Sequence, residues 1–490
     1  MINTFSSNLK SYLYLFPLLF GIFIAADDQT VIVTILPELL MDMKIGINEL
    51  DKASWTITGY LIGYTAVLPL MGNISDKIGW KSAYIISLLI FGLGSIFIVF
   101  SSFFTDIFPH YANYSYWFMV FSRFIQAIGG GALIPISIGA ASKIVPKLSS
   151  PIVFGLIGAS AEAGGVIGPL WGGIITHFVS WEWVFIINIP FIILTIVLIL
   201  KYPKVERKKS KIDLFNGTIF ALFIAASTLG FSRIGYQDNK MYLFFIISTL
   251  LMILMIILHK LEIGNLFPKN FFRFSNFFWG NITHFFIGSS LIIVMVTVPL
   301  TCATIFSMTA LESGLELLKF TISLGLFAII GGIITKNKKG IISSTAGFLI
   351  SGISLWLISL WDFNTTELNR TINLVLAGSG FGLLVSPLTD RAISGINENV
   401  KGIASSLFTS YRMVGMIISL AALTSFGTIQ FYDLILGIPS FSSNHEINTI
   451  IAEKSMNAAI TVFSNFYLSG SIICFGGLIP LFLMYKSKTI

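Results

Sequence analysis

The sequence predicts an all-α polytopic membrane protein, and three observations predict it. Of its 490 residues, 55% are hydrophobic and only 11% charged, and the mean hydropathy of +0.87 is far above that of soluble domains. Apolar stretches of about 20 residues, long enough to cross a hydrocarbon core as helices, recur along the whole chain. Segments such as "IIVMVTVPL" at 292–300 and "FIILTIVLIL" at 191–200 are apolar on every face, whereas barrel strands would alternate.

Taken in order, fourteen spans start near residues 12, 52, 83, 116, 151, 183, 213, 241, 277, 311, 341, 371, 403 and 463. The first lacks the short apolar core and small-residue cleavage site of a signal peptide and is expected in the mature protein. Spans one to six occupy 12–200. The basic interval 201–212, "KYPKVERKKSKI", follows as a cytoplasmic linker. Two additional spans fill 213–260, and a second six-helix set fills 261–490, with an external loop over 431–462. Lys and Arg gather in alternate loops, among them Lys77 and Lys81, Lys143 and Lys147, and "KNKK". The positive-inside rule then puts both termini on the cytoplasmic side, and the cytoplasmic membrane is the expected location. The same asymmetry accounts for the net charge of +7. Charges that border membrane helices meet lipid head groups and do not form a nucleic-acid stripe. The lipid bilayer is the expected surrounding and a monomer the expected state. Cys302 and Cys474 lie in or beside spans and imply no disulfide framework.

Several motifs sit at the expected places. "GNISDKIGWK", between spans two and three, offers Gly72 and Gly79 for a tight turn and Asp76 near a helix end with Lys77 and Lys81 for pairing. It resembles the cytoplasmic loop motif of the major facilitator superfamily, with Trp80 where an Arg is usual. Span four carries "RFIQAIGGGALIP", with Arg123, Gln126, Gly129 and Gly130; an intramembrane Arg needs a partner or a wet cavity. Span five carries "GGVIGPLWGG", in which Gly164, Gly165, Gly168, Gly172 and Gly173 make a smooth packing face around the kink of Pro169. This stretch is similar to the superfamily's antiporter motif, typical of exporters. "WEWVFIINIPF" and the first-span stretch "DDQTVIVTILP", with Asp28, Thr30 and Pro37 in register and Val33 where Asn is usual, resemble signatures of the fourteen-helix drug:proton antiporter branch. "TALESGLELL" and the run from "GSGFGLLVSPLTDRAI" to "VKGIASSLFTSYRMVG", which holds Arg412, extend the resemblance over nearly the whole chain. The internal copy of the loop motif, "GGIITKNKKG", has lost its Asp.

The resemblance implies a major facilitator fold of two six-helix bundles plus two extra central helices, 14 transmembrane helices in all. It implies proton-coupled antiport, exporting hydrophobic or cationic compounds. Asp28, with its neighbour Asp27, is expected to bind the coupling proton or a cation, because adjacent like charges discourage double ionisation. Glu162 is either a second coupling acid or a fixed partner for Arg123. Arg123, Gln126 and Arg412 are expected to serve the cavity or the conformational cycle, and Asp76 to latch the cytoplasmic side. Export of lipids, siderophores or an endogenous anionic metabolite, and an uncoupled flippase, remain as alternatives on the same fold. The coupling proton is the only cofactor expected and no metal is. The five histidines are dispersed without a zinc motif, which argues against a membrane enzyme, and no selectivity-filter sequence suggests a channel.

Overall fold

The computed structural model describes residues 15–45, 52, 54–107, 112–144, 150–202, 213–236, 238–261, 263, 275–336, 339–393, 401–436 and 445–486. Some side chains within those ranges, including Asp76 and Glu162 with the surroundings of Gly72, lie outside the description, as do 203–212 of the expected linker. The described residues form helices and connecting turns and no strands, the outcome for a chain whose backbone polar groups must be satisfied within each segment in lipid.

The helices are α1 (Phe16–Asp42), α2 (Trp55–Ile78), α3 (Trp80–Ile107), α4 (Ala112–Ile144), α5 (Ser150–Phe178) and α6 (Glu182–Leu200). Then come α7 (Leu214–Phe231) and α8 (Asn239–Lys260). The last set is α9 (Ser275–Ile305), α10 (Ala310–Lys336), α11 (Gly340–Ile358), α12 (Glu367–Ile393), α13 (Lys401–Leu434), α14 (His445–Gly476) and the short α15 (Leu478–Lys486), which continues α14. Among the described residues twelve of these rods are long and apolar enough to cross a membrane. Helices α2 and α5, 24 and 29 residues long, complete the fourteen. Part of the hydrophilic interval 431–462, expected as an external loop, is helical. Helix α13 runs to Leu434 and α14 starts at His445, because good helix formers such as Ala452, Glu453, Lys454 and Ala458 extend the helix past its apolar part.

Local chemistry sets several ends. Asp213 accepts from the Asn216 amide at 3.2 Å and caps α7, and Asp238 does the same for α8 through Met241 at 2.8 Å. Thr309 and Glu312 form a reciprocal capping box at the start of α10. Gly79, between α2 and α3, has φ 87°, a conformation that strains a residue with a Cβ.

Two bundles follow from packing that repeats. In the first, α1 lies on α5, α3 and α2 on α4, and α3 on α6; in the second, α9 lies on α13, α11 and α10 on α12, and α11 on α14. The bundles meet where α5 faces α10 and α2 faces α13. Helix α7 bridges them. Near its start Gly217 lies against Leu70 of α2, and just past its end the Gly235 amide donates to Ser425 of α13 at 3.1 Å. Helix α8 rests on α7 and turns a largely apolar surface outward, with Tyr242, Ile246 and Leu250 all exposed.

Candidate functional site

The site grows from α1, where two carboxylates stand inside an apolar helix and are nevertheless buried, Asp27 at 7% exposure and Asp28 at 1%. The helices around α1 treat them differently. Arg123 and Gln126 lie one turn apart on α4 and so present to the same side. Arg123 Nη1 donates to Asp28 Oδ2 at 2.6 Å and to Gln126 Oε1 at 2.7 Å, and Nη2 reaches the Asp28 carbonyl at 3.3 Å. Gln126 Nε2 donates to Asp28 Oδ1 at 2.9 Å and to Ser95 of α3 at 2.8 Å. Asn188 of α6 donates to the same Oδ1 at 2.9 Å. The guanidinium lies 4.4 Å over the Tyr60 ring of α2 and 5.5 Å from that of Phe185, and the Tyr60 hydroxyl donates to the Ala25 carbonyl at 3.1 Å.

Both charged side chains of this pair are fully buried. Such a pair is tolerated in a low dielectric only when hydrogen bonds satisfy the remaining oxygens and nitrogens, as they do here for the carboxylate. Asp28 is thus charge-compensated by Arg123 and held from α4 and α6, with Ser95 of α3 bracing Gln126 and Asn188 behind it. Asp27 is not: its Oδ1 is buried without a hydrogen-bond partner among the described residues. The structure parts the two acids that adjoin in sequence, one locked into an ion pair and one left with an open oxygen. Asn188, Ser95 and Tyr60 are site residues that the sequence analysis did not single out. Asn188 had a signal, the Asn of the "WEWVFIINIPF" pattern; Ser95 and Tyr60 had none.

The glycines of α5 do distinct things. A Cβ at Gly164 would collide with the Phe23 carbonyl, one at Gly168 would lie 2.7 Å from the Asp27 carbonyl, and one at Gly172 would lie 2.7 Å from Thr34 Oγ1. These three let α5 lie backbone to backbone on α1, beside Asp27. Gly165 has room, with Thr30 Cγ2 at 3.8 Å. Gly173 faces the other bundle, where a Cβ would lie 2.9 Å from the Ala310 carbonyl of α10, and a Cβ at Gly314 of α10 would lie 2.7 Å from the Pro169 carbonyl. The motif therefore works on both sides of α5. Further contacts between bundles join Thr321 to the Val166 carbonyl at 3.4 Å, Gln29 to Met413 at 3.6 Å and Ser54 to Thr424 at 3.3 Å.

At the opposite end, Lys81 donates to the Leu200 carbonyl at 2.8 Å and to that of Tyr202, and so closes the C-terminus of α6. Trp80, at the position where an Arg is usual, is 1% exposed and packs edge-on to Tyr202 at 5.8 Å. Lys77 is exposed, and Gly72 and Asp76 are on the last turns of α2. Arg412 of α13 lies in the second bundle beside His284 of α9, and its carbonyl meets Gly288 where α9 and α13 touch. The bonds of Arg123 among the described residues run to Asp28 and Gln126; Glu162 is on α5, with its side chain outside the described set.

The profile of the Major Facilitator Superfamily matches residues 18–420. The chain belongs to the major facilitator superfamily. It is a membrane transporter by family, not an enzyme, and its fold agrees with solved members. It superposes on a bacterial homolog of the human lysosomal transporter Spinster, inward-facing and occupied, with a TM-score of 0.68 at 14% identity, covering 98% of this chain and 97% of that one. It superposes on a D-xylose–proton symporter with a TM-score of 0.64 at 12% identity, covering 96% and 97%. Among curated superfamily relatives, a triacylglyceride transporter of Mycobacterium tuberculosis (strain H37Rv) is 28% identical over 494 residues, covering 96% of this chain and 93% of the relative. A probable triacylglyceride transporter of Mycobacterium leprae is 26% identical over 494 residues, covering 96% and 95%.

Proposed function

We propose that this transporter exports a neutral, lipid-like compound of the triacylglyceride class in exchange for protons, with both termini in the cytoplasm of the cell. The observation that carries the reading is the apolar crevice between the bundles. Leu36 of α1, Ile292 and Val296 of α9, Leu420 and Leu423 of α13 and Phe466 of α14 line it; Ser54, Thr297 and Thr424 border it without turning polar atoms into it, and none of its lining residues is charged. As the bundles stand the space is narrow, and what bears on the substrate is the character of its lining: on such a surface, once opened, an acyl chain gains about 0.8 kcal/mol per buried methylene, whereas a cation would lose its hydration without a counter-charge. Asp28 supplies none, being already compensated by Arg123. The names of the curated relatives support the same substrate class. This favours the lipid alternative of the sequence analysis over export of cationic drugs.

Proton coupling rests on Asp27, whose unpartnered Oδ1 can take a proton without breaking an ion pair. The glycine face beside it sits on α5, which also contacts α10 of the other bundle, so a change at Asp27 lies one helix away from the surface along which the bundles rock. With the N-terminus inside, the end of the molecule at Asp42 faces outward.

The test is reconstitution in vesicles with an imposed proton gradient. A fluorescent triacylglyceride analogue should move to acceptor vesicles in proportion to the gradient and stop on adding an uncoupler or on Asp27→Asn. Efflux of lipophilic cations with no movement of the lipid probe would reject the lipid reading and restore drug export.

A further inference from the structure

The second bundle contains a buried charge cluster centred on Glu316, which lies within the "TALESGLELL" stretch and was not singled out there. Glu316 of α10 is 5% exposed and sits six residues into its helix, a depth of about 9 Å at 1.5 Å per residue. Its Oε1 accepts from Lys319 Nζ at 2.9 Å and lies 3.7 Å from Nη2 of Arg370 on α12. Lys319 also donates to Thr371 at 2.9 Å and lies 3.5 Å from Glu367, which is 76% exposed. Arg370 donates to the Thr365 carbonyl at 2.9 Å and stacks 4.4 Å over Phe306. Helix α9 adds Cys302, whose buried thiol feels Glu316, Arg370 and Lys319. The charged and titratable groups facing Glu316 are thus Lys319 on its own helix, Arg370 and Glu367 on α12, and Cys302 on α9.

Two features set this cluster apart from an inert brace. Glu316 Oε2 is buried and has no hydrogen-bond partner among the described residues, so the carboxylate is only half satisfied. Lys319 has second partners in Glu367 and Thr371, whereas Arg370 keeps the Thr365 carbonyl and the Phe306 ring and no second acid among the described residues, so protonation of Glu316 leaves a buried guanidinium uncompensated and favours separation of α12 from α10. The cluster reaches the surface at the Asp42 end through Lys319 and Glu367, which gives a proton a route inward. Its position matters as well. Two residues before Glu316, Gly314 packs on the Pro169 carbonyl of α5, so the turn that carries the acid also joins the bundles.

We infer that Glu316 is a second proton-binding carboxyl, loaded from the Asp42 end, whose protonation releases Lys319 and Arg370 and loosens α10 from α12 where α10 meets α5. The step is a simple one: a proton from bulk water forms an O–H bond at Oε2, and the cluster of Lys319, Arg370, Glu316 and Glu367 goes from zero net charge to plus one. It acts on the closure of the Asp42 end and is independent of which compound is carried.

The experiment uses the full chain in nanodiscs, in an Asp27→Asn background that removes the acid assigned to coupling on α1 and leaves Asp28, Glu38 and Asp42 the same in every variant compared. Infrared difference spectra recorded from neutral to acid pH should show a carbonyl band of a protonated carboxyl rising on acidification. Glu316→Gln should remove it, and Glu316→Asp should keep it with a displaced midpoint. Spin labels at Phe178 and Leu368, exposed residues on opposite bundles, should move apart over the same pH interval, and stay put when Glu316 is Gln. The two native thiols are buried and do not compete for label. A band and a label distance that titrate identically with Glu and Gln at 316 overturn the proposal, as does the absence of any titration in the Asp27→Asn background. Should the Gln variant not fold, an unchanged midpoint in Glu316→Asp overturns it equally.

Discussion

At the scale of single residues, the two neighbouring acids of α1 predict opposite phenotypes. Asp28→Ala leaves the Arg123 guanidinium buried without its counter-charge, which costs about 3–5 kcal/mol. It should appear as poor yield and a lowered thermal midpoint in detergent. Asp27→Asn removes an oxygen that has no partner, so that variant should be as stable as the parent chain while losing gradient-driven transport. Equal stability losses in the two would show that Asp27 is also a structural group. Arg123→Lys is not conservative, because one ammonium cannot hold Asp28 Oδ2, the Asp28 carbonyl and Gln126 Oε1 while lying flat on Tyr60. It should reproduce much of the Asp28→Ala defect in the same melt. Sequence alone flagged Asp27, Asp28 and Arg123, since charge inside an apolar span stands out. The family resemblance put Asp28 first for coupling, and nothing in the sequence said which acid is taken up by an ion pair. Residues adjacent on a helix differ by about 100° in direction, and which of them meets Arg123 depends on how α1 is rotated against α4.

At the scale of helices, the glycine motif of α5 divides into positions that touch α1, a position that touches α10, and one that touches little. Gly168→Ala should cost about 1–3 kcal/mol by forcing α1 and α5 apart, measured by thermal unfolding, whereas Gly165→Ala should be tolerated. Gly173→Ala presses on α10 instead. It should leave unfolding of the first bundle unchanged and alter the balance of open and closed states, seen in label distances between bundles. A motif of small residues is legible as a packing face, and this one was. Which glycine serves which neighbour was not, because that requires knowing which helices flank α5. Lys81 makes the same point at α6. Its acceptors, Leu200 and Tyr202, lie 119 and 121 residues away, so its role in closing that helix had no local signal.

At the scale of the whole molecule, several side-chain pairs among the described residues join the bundles, and one is suited to a covalent test. Ser54 and Thr424 oxygens are 3.3 Å apart across the interface of α2 and α13. Ser54→Cys with Thr424→Cys should form a disulfide on mild oxidation, stop transport, and release it on reduction. A cross-linked protein that still transports would mean that the Asp42 end need not open there. Fold class and the order of helices were legible because hydrocarbon thickness fixes the length of each apolar run. The bridging by α7 was not, since Gly217 and Gly235 in the sequence say nothing of Leu70 and Ser425. The buried pair of Asp28 and Arg123 has a consequence for biogenesis too. Asp28 leaves the ribosome 95 residues ahead of Arg123 and 160 ahead of Asn188. At roughly 5–20 residues per second, α1 waits on the order of 8 to 32 seconds for the last of these partners. During that interval its two acids must be sheltered by water in the insertion machinery or by an insertase, so nascent chains arrested before α6 should still yield α1 to alkaline extraction.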